Sequence, residues 1–288
     1  MKRTSLIAHS LLVATALCVA GCTNSDYTEE LNEGSMTLSQ ELLNQEPLWS
    51  YEKNSFGYLD TSSYKTEEGT TWLWHDNFGR LTSIVFFIPA DNHINVLYKS
   101  PASIEQLNSR YFQLGKDNEL KLYKSYEFEP QETDFNTSGM AIGFDSYHQY
   151  HKGVLVYGKG YYVNYYVTPQ GKRIAHASGQ VLSELTVDTT PLITADQAKQ
   201  IFAARLGEEV TEDWEAELMI REYVIKDGDK DILDERLIWH VRGSVYPEEE
   251  AFWILSLSSR YVEGSLRHEA QIDAHTGRLL VEGPSLTF

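Results

Sequence analysis

Hydrophobic positions along the chain change their spacing several times, and each change marks an element. Residues 6–20 are apolar apart from small interruptions such as His9 and Ser10, and they follow Lys2 and Arg3. Residues 23–36 contain almost nothing apolar and carry Asp26, Glu29, Glu30 and Glu33. Such a segment cannot bury enough surface to offset its ordering entropy, so it reads as a flexible tether. Leu38, Leu42 and Leu43 then suggest a short helix ended by Pro47. Strand-like runs follow at 71–75 and 81–88, joined by Asp76-Asn77-Phe78-Gly79, and at 93–98 after Pro89-Ala90-Asp91-Asn92. Together these predict a small antiparallel meander.

From Ser103 the period becomes helical. Ser103 with Gln106 is a capping-box pattern, and Ile104, Leu107, Tyr111 and Leu114 fall on one face before Gly115. Runs rich in Tyr, Phe and Val come next, at 120–128, 142–150, 154–157 and 161–167, with turns at Gly158-Lys159-Gly160 and Pro169-Gln170-Gly171. The same order then recurs. Thr194 with Gln197 caps a helix whose inner face is Ala198, Ile201, Phe202 and Leu206, and Gly207 ends it. Strands are expected at 214–225, 237–245, 251–257 and 268–273, the first hairpin turning at Asp227-Gly228-Asp229. The expected fold class is therefore α+β: two consecutive helix-plus-antiparallel-sheet modules preceded by a small β-meander. The boundaries are 1–21 for an export signal, 22–36 for the tether, 37–99 for the helix and meander, 100–185 for the first module, and 186–288 for the second with a short C-terminal tail.

Composition bears mainly on location. A basic start, a short apolar stretch and the small residues Val19-Ala20-Gly21 form a secretion signal. The apolar stretch is shorter than the roughly 20 residues that span a bilayer. The only cysteines are Cys18 and Cys22, so the exported body has no thiol chemistry and must rely on its core. Removing Lys2 and Arg3 leaves 22 basic residues against 42 acidic, a net charge of −20. That charge repels phosphate backbones, so no nucleic-acid partner is expected.

Three motifs resemble known ones. Val19-Ala20-Gly21-Cys22 resembles the lipobox of bacterial lipoproteins. The resemblance implies cleavage between Gly21 and Cys22, acylation of Cys22, and anchoring to a lipid bilayer; Thr23, rather than Asp, after the Cys resembles the outer-membrane sorting pattern, so that membrane is favoured if the host has one. Tyr147-His148-Gln149-Tyr150-His151-Lys152-Gly153-Val154-Leu155-Val156-Tyr157-Gly158 resembles the fungalysin/thermolysin propeptide (FTP) module. Ile193-Thr194-Ala195-Asp196-Gln197-Ala198 and Ile272-Asp273-Ala274-His275-Thr276-Gly277-Arg278 resemble the start and the closing hairpin of a PepSY module. The pair resembles the propeptide of thermolysin-type metallopeptidase zymogens. The sequence contains no His-Glu-x-x-His, the zinc-binding motif of their catalytic domains. By their own chemistry the motif residues Gly153, Val154, Val156, Tyr157, Gly158, Asp273, Thr276 and Gly277 are structural: turn glycines, core positions, and side chains that satisfy a tight turn.

No catalytic residue, cofactor or metal site is expected. His148 and His151 are three apart on a strand, where they face opposite sides. Asp227, Asp229 and Asp231 begin like a calcium loop but lack its later Gly and Glu. Glu248, Glu249 and Glu250 form a solvated charge run, and no Gly-x-Ser-x-Gly elbow occurs. Aromatic residues chiefly fill the two cores, with Tyr162 and Tyr166 as candidate partner contacts. A free tail ending in Leu286 and Phe288 is a second candidate, of a size to enter an apolar protease subsite. The expected function is non-enzymatic: a membrane-anchored binding lipoprotein that modulates or inhibits a metallopeptidase in trans. The alternative is a structural or assembly lipoprotein of the cell envelope with another envelope protein as partner.

Overall fold

β-Branched and aromatic residues recur along the chain from residue 64, and strands take up most of the described residues. The computed structural model describes residues 36, 38–48, 64–68, 71–76, 78–86, 100–128, 142–168, 171–227, 230–246 and 265–287. The described residues from Met36 onward belong to one compact unit. The strands are β1 (Tyr64–Glu68), β2 (Thr71–His75), β3 (Leu81–Val85), β4 (Asn118–Phe128), β5 (Ile142–His151) and β6 (Val154–Thr168). They continue with β7 (Gly171–Gln180), β8 (Glu215–Asp227), β9 (Lys230–Val245), β10 (Ser265–Asp273) and β11 (Leu279–Thr287). The described helices are short: α1 (Gln40–Leu43), α2 (Ile104–Leu107, continued by a π turn over Asn108–Phe112) and α3 (Ala195–Leu206).

All eleven of these strands belong to one sheet, in the order β1-β2-β3-β7-β6-β8-β9-β10-β11, with β5 beside β6 and β4 beside β5. This overturns the expected α+β class. The protein is mostly β, built on one continuous mixed sheet rather than two helix-plus-sheet modules. The cause lies in β6. Gly158-Lys159-Gly160, expected as a turn between two strands, lies within one 15-residue strand. On one edge β6 pairs with β5. On the other it pairs antiparallel with β7 from Gly160 onward and parallel with β8 at Leu155↔Met219 and Val156↔Ile220. That parallel contact carries the sheet across the expected boundary at 185/186.

Two cores meet on this strand. Val154 and Val156 pack with Ile201, Phe202, Trp214, Leu237 and Trp239 beneath α3. Tyr161 and Val163 pack with Leu107, Phe112, Ile84 and Ala177 beneath α2. The inward set shifts from even to odd positions between 156 and 161, which an irregularity in the strand must absorb. Met219, Tyr223, Ile238, Leu280 and Val281 form a third, smaller cluster. In β9 the residues from Leu237 to Val241 are consecutively buried, because Leu237, Trp239 and Val241 face the first core while Ile238 faces the third.

The helix caps follow the sequence in one case and depart from it in the other. Thr194 and Gln197 form the reciprocal box, and Gly207 closes α3 at φ 71°. The helix beginning at α2 ends at Gln113 in the left-handed region (φ 47°), two residues before the expected stop. Gly115 serves a different purpose: a Cβ there would lie 2.7 Å from the Ser183 carbonyl.

The C-terminal segment is also not a free tail. It is strand β11, paired with β10 from Ile272↔Leu279 to Ser265↔Thr287. Leu286 pairs with Leu266 in that ladder, while its side chain and Phe288 lie outside the described residues. Residues 1–35, with Gly21 and Cys22, lie outside them too, as do the strands expected at 93–98 and 251–257. Among the described residues no helix is long and apolar enough to cross a membrane.

Candidate functional site

The irregularity in β6 builds the most distinctive polar site among the described residues. His148 faces Gly160 and Tyr150 faces Leu155, so Gln149 alone opposes the four residues from Val156 to Lys159. This is a large bulge, and glycine permits it. Gly158 has φ 67° and Gly160 φ 136°. A Cβ on Gly160 would lie 2.0 Å from the Tyr147 carbonyl, and one on Gly179 2.3 Å from the Gly160 carbonyl. Gln149 is fully buried. Its amide accepts from Leu182 N at 2.8 Å and donates to Leu182 O at 2.7 Å, as a neighbouring strand would.

The bulge delivers Lys159 to the point where β7 and β8 part company along β6. There a ring of five side chains closes. Asp76 Oδ2 accepts from Arg80 Nε at 2.9 Å, and Arg80 Nη1 donates to Glu222. Glu222 Oε2 accepts from Lys159 Nζ at 2.7 Å. Lys159 donates to Gln180 Oε1, and Gln180 Nε2 donates back to Asp76 Oδ2. Charges alternate around the ring and sum to zero, which is how ions are tolerated at this depth. Asp76 is oriented by its own turn, accepting from Phe78 N and Arg80 N at 2.9 Å each. Burial holds the Lys159 pKa below its ordinary value, opposed by the Glu222 carboxylate. Burial and then Glu222 hold the Glu235 carboxyl above its ordinary value.

Two clefts flank the ring, and Glu222 lines both. One, of about 600 Å³, lies among Leu73, Arg80, Arg110, Tyr111, Phe112, Leu233 and Glu235. The other, of about 650 Å³, is bounded by Tyr157, Tyr162, His148, Arg221 and Val224, over a floor of Ser146, Gly160, Ser178 and Gly179. The Arg221 guanidinium lies 5.0 Å from the centre of the Tyr157 ring. Behind His148, Tyr123 stacks on its ring at 4.3 Å.

The sequence-expected residues divide between this site and the scaffold. Tyr157, Gly158 and Tyr162 line the larger cleft, and Tyr162 is 43% exposed with His176 edge-on at 5.8 Å. Gly153, at φ 84°, makes the β5–β6 hairpin turn with Lys152 at φ 48°. Val154 and Val156 are core. The structure does not bring Asp273, Thr276 and Gly277 to the cleft. Asp273 Oδ1 accepts from Thr276 N at 2.9 Å, Gly277 N donates to Asp273 O, and Thr276 Oγ1 accepts from Arg278 N. The Tyr166 side chain lies outside the described residues. Sequence reasoning missed Asp76, Arg80, Lys159, Gln180 and Glu222. The signal available was Lys159 and Glu222, charges inside otherwise apolar and aromatic strand runs.

We find no protein-family model that matches the chain and no curated protein significantly similar to it. The structure is similar to that of the Bacillus megaterium YpeB C-terminal domain, at 12% sequence identity and a TM-score of 0.27, over 87% of this chain and 99% of that one. At that score the likeness carries no weight in assigning a function.

Proposed function

We propose that this chain is a lipid-anchored, non-catalytic binding protein of the bacterial cell envelope, exported by residues 1–21 and held at a membrane through Cys22. The observation that carries the binding part is the closed ring beside an open cleft. The ring's Lys and carboxylates are spent on one another, which suits a rigid frame better than proton transfer or nucleophilic attack. The cleft beside them stays open and is walled by aromatic side chains, the composition of a ligand site.

In its finer form the protein modulates a thermolysin-type metallopeptidase in trans, a reading that rests on the FTP-like and PepSY-like motifs. Its route is a surface of the sheet, because residues 279–287 are occupied in β11 and offer no free tail. The test is a photo-cross-linking amino acid placed at Tyr162 in the full chain in living cells, with a second placed at Lys226 on the hairpin arm as control. The reading expects a discrete adduct from position 162 in the membrane fraction. A peptidase in that adduct supports modulation, and a different envelope protein supports the assembly alternative. Adducts no more abundant than those of the control overturn the binding reading.

A further inference from the structure

Among the described residues, three polar groups around the larger cleft are left unused. Among the described residues the Tyr162 hydroxyl, the Ser146 hydroxyl and the His148 ring nitrogens have no hydrogen-bond partner, and all three residues line the cleft. The charged groups there are committed: Lys159 and Glu222 to the ring, and Arg221 to the Tyr157 face. What the cleft offers a ligand is therefore hydroxyl and imidazole chemistry. Each of these groups both donates and accepts, in the neutral form of the imidazole.

We propose, building on the binding reading above, that this cleft takes a neutral polyhydroxylated ligand, one or two pyranose rings of a glycan chain. Sugar hydroxyls also donate and accept, and so match such groups without any charge to compensate. Sugar C–H faces lie flat on aromatic rings, which the exposed Tyr162 supplies at the cleft wall. The floor is low because Gly160 and Gly179 have no room for a side chain. A volume of about 650 Å³ lies within the range of small-molecule sites. A polyanion would meet a chain of net charge −18 with no uncommitted cation at the cleft. An added peptide strand is disfavoured at the nearest sheet edge, β4. Lys121 and Lys124 stand there with a register shift between Leu122 and Lys124, devices that protect strand edges from pairing.

The experiment is calorimetric titration of the full chain, in a detergent without a sugar headgroup, with maltotriose, triacetylchitotriose and a neutral apolar hexapeptide. We expect saturable one-to-one binding of at least one oligosaccharide. Tyr162→Ala should weaken it at least about tenfold, the scale of one lost stacking contact of 1.4 kcal/mol. Ser146→Ala should weaken it less, and Tyr126→Ala should leave it unchanged. Tyr162 is half-exposed, so an unchanged thermal midpoint in Tyr162→Ala shows that loss of binding is not loss of fold. Silence from both sugars, or undiminished binding by Tyr162→Ala, overturns the proposal. If the hexapeptide alone binds, and does so through Tyr162, the glycan class is wrong while the binding-protein reading stands. That reading fails separately, when position 162 gives no specific adduct in cells.

Discussion

Glu222 is the residue on which the site turns, because it accepts from both Arg80 and Lys159 and borders both clefts. Glu222→Ala leaves two cations facing each other at 10–19% side-chain exposure. We expect a loss of about 3 kcal/mol in urea unfolding, the scale of breaking a buried pair. Adding Lys159→Met should restore part of it, since a neutral apolar side chain needs no counter-charge; a double variant no better than the single one contradicts the ring as drawn. Glu235 gives a pH signature. Its carboxyl is held above the ordinary 4.5 by burial and by Glu222. The folded state therefore binds that proton more tightly than the unfolded state, and the stability this confers is complete below the unfolded pKa and lost as pH rises through the folded one. Glu235→Gln should accordingly have its largest stability advantage over the parent at pH 7, shrinking as pH falls toward 4.5. Urea midpoints at the two pH values measure it, and a constant difference contradicts the assignment.

At the scale of elements, β6 decides how much could be read from the sequence. The Thr194–Gln197 box, the Gly207 stop and the helix face between them were legible because capping and helical period are local. So were the hairpin at Lys152-Gly153 and the turn at Asp273–Gly277, where one side chain satisfies several backbone donors. The bulge was not. Two glycines around a lysine read equally as a turn, and only pairing with β5, β7 and β8 makes them one strand. The ring was hidden for the same reason: its members come from β6, β7, β8 and the β2–β3 turn, and no local pattern joins them. Gly160→Ala tests the bulge directly. A methyl group at φ 136° and 2.0 Å from the Tyr147 carbonyl should cost more than about 3 kcal/mol or abolish folding. Gly153→Ala, with nothing within 4 Å, should cost only about 1 kcal/mol, the left-handed backbone penalty. Equal effects contradict the crowding at Gly160.

At the scale of the whole molecule, the first described residues are tied to the last strand of the sheet. Met36 is held at the start of α3, and the segment from Gln45 to Leu48 lies along the start of β11, where the Gln45 amide donates to Gly277 O at 2.8 Å and accepts from Leu279 N at 2.9 Å. Leu48 N donates to Leu279 O, and Arg205 joins Glu282 to Glu46. A chain ending after Leu280 thus loses most of an edge strand and the buried Val281. We expect it to lack a cooperative thermal transition by circular dichroism, whereas a free tail would leave the transition intact. In the proposed function, Cys22 sets where the body works. The most direct test is the intact mass of the protein purified from the membrane fraction, beside a Cys22→Ser variant. We predict a mature chain beginning at Cys22 with acyl groups attached, and a variant that is released from the membrane. A chain that retains residues 1–21, or begins elsewhere with Cys22 unmodified, contradicts it.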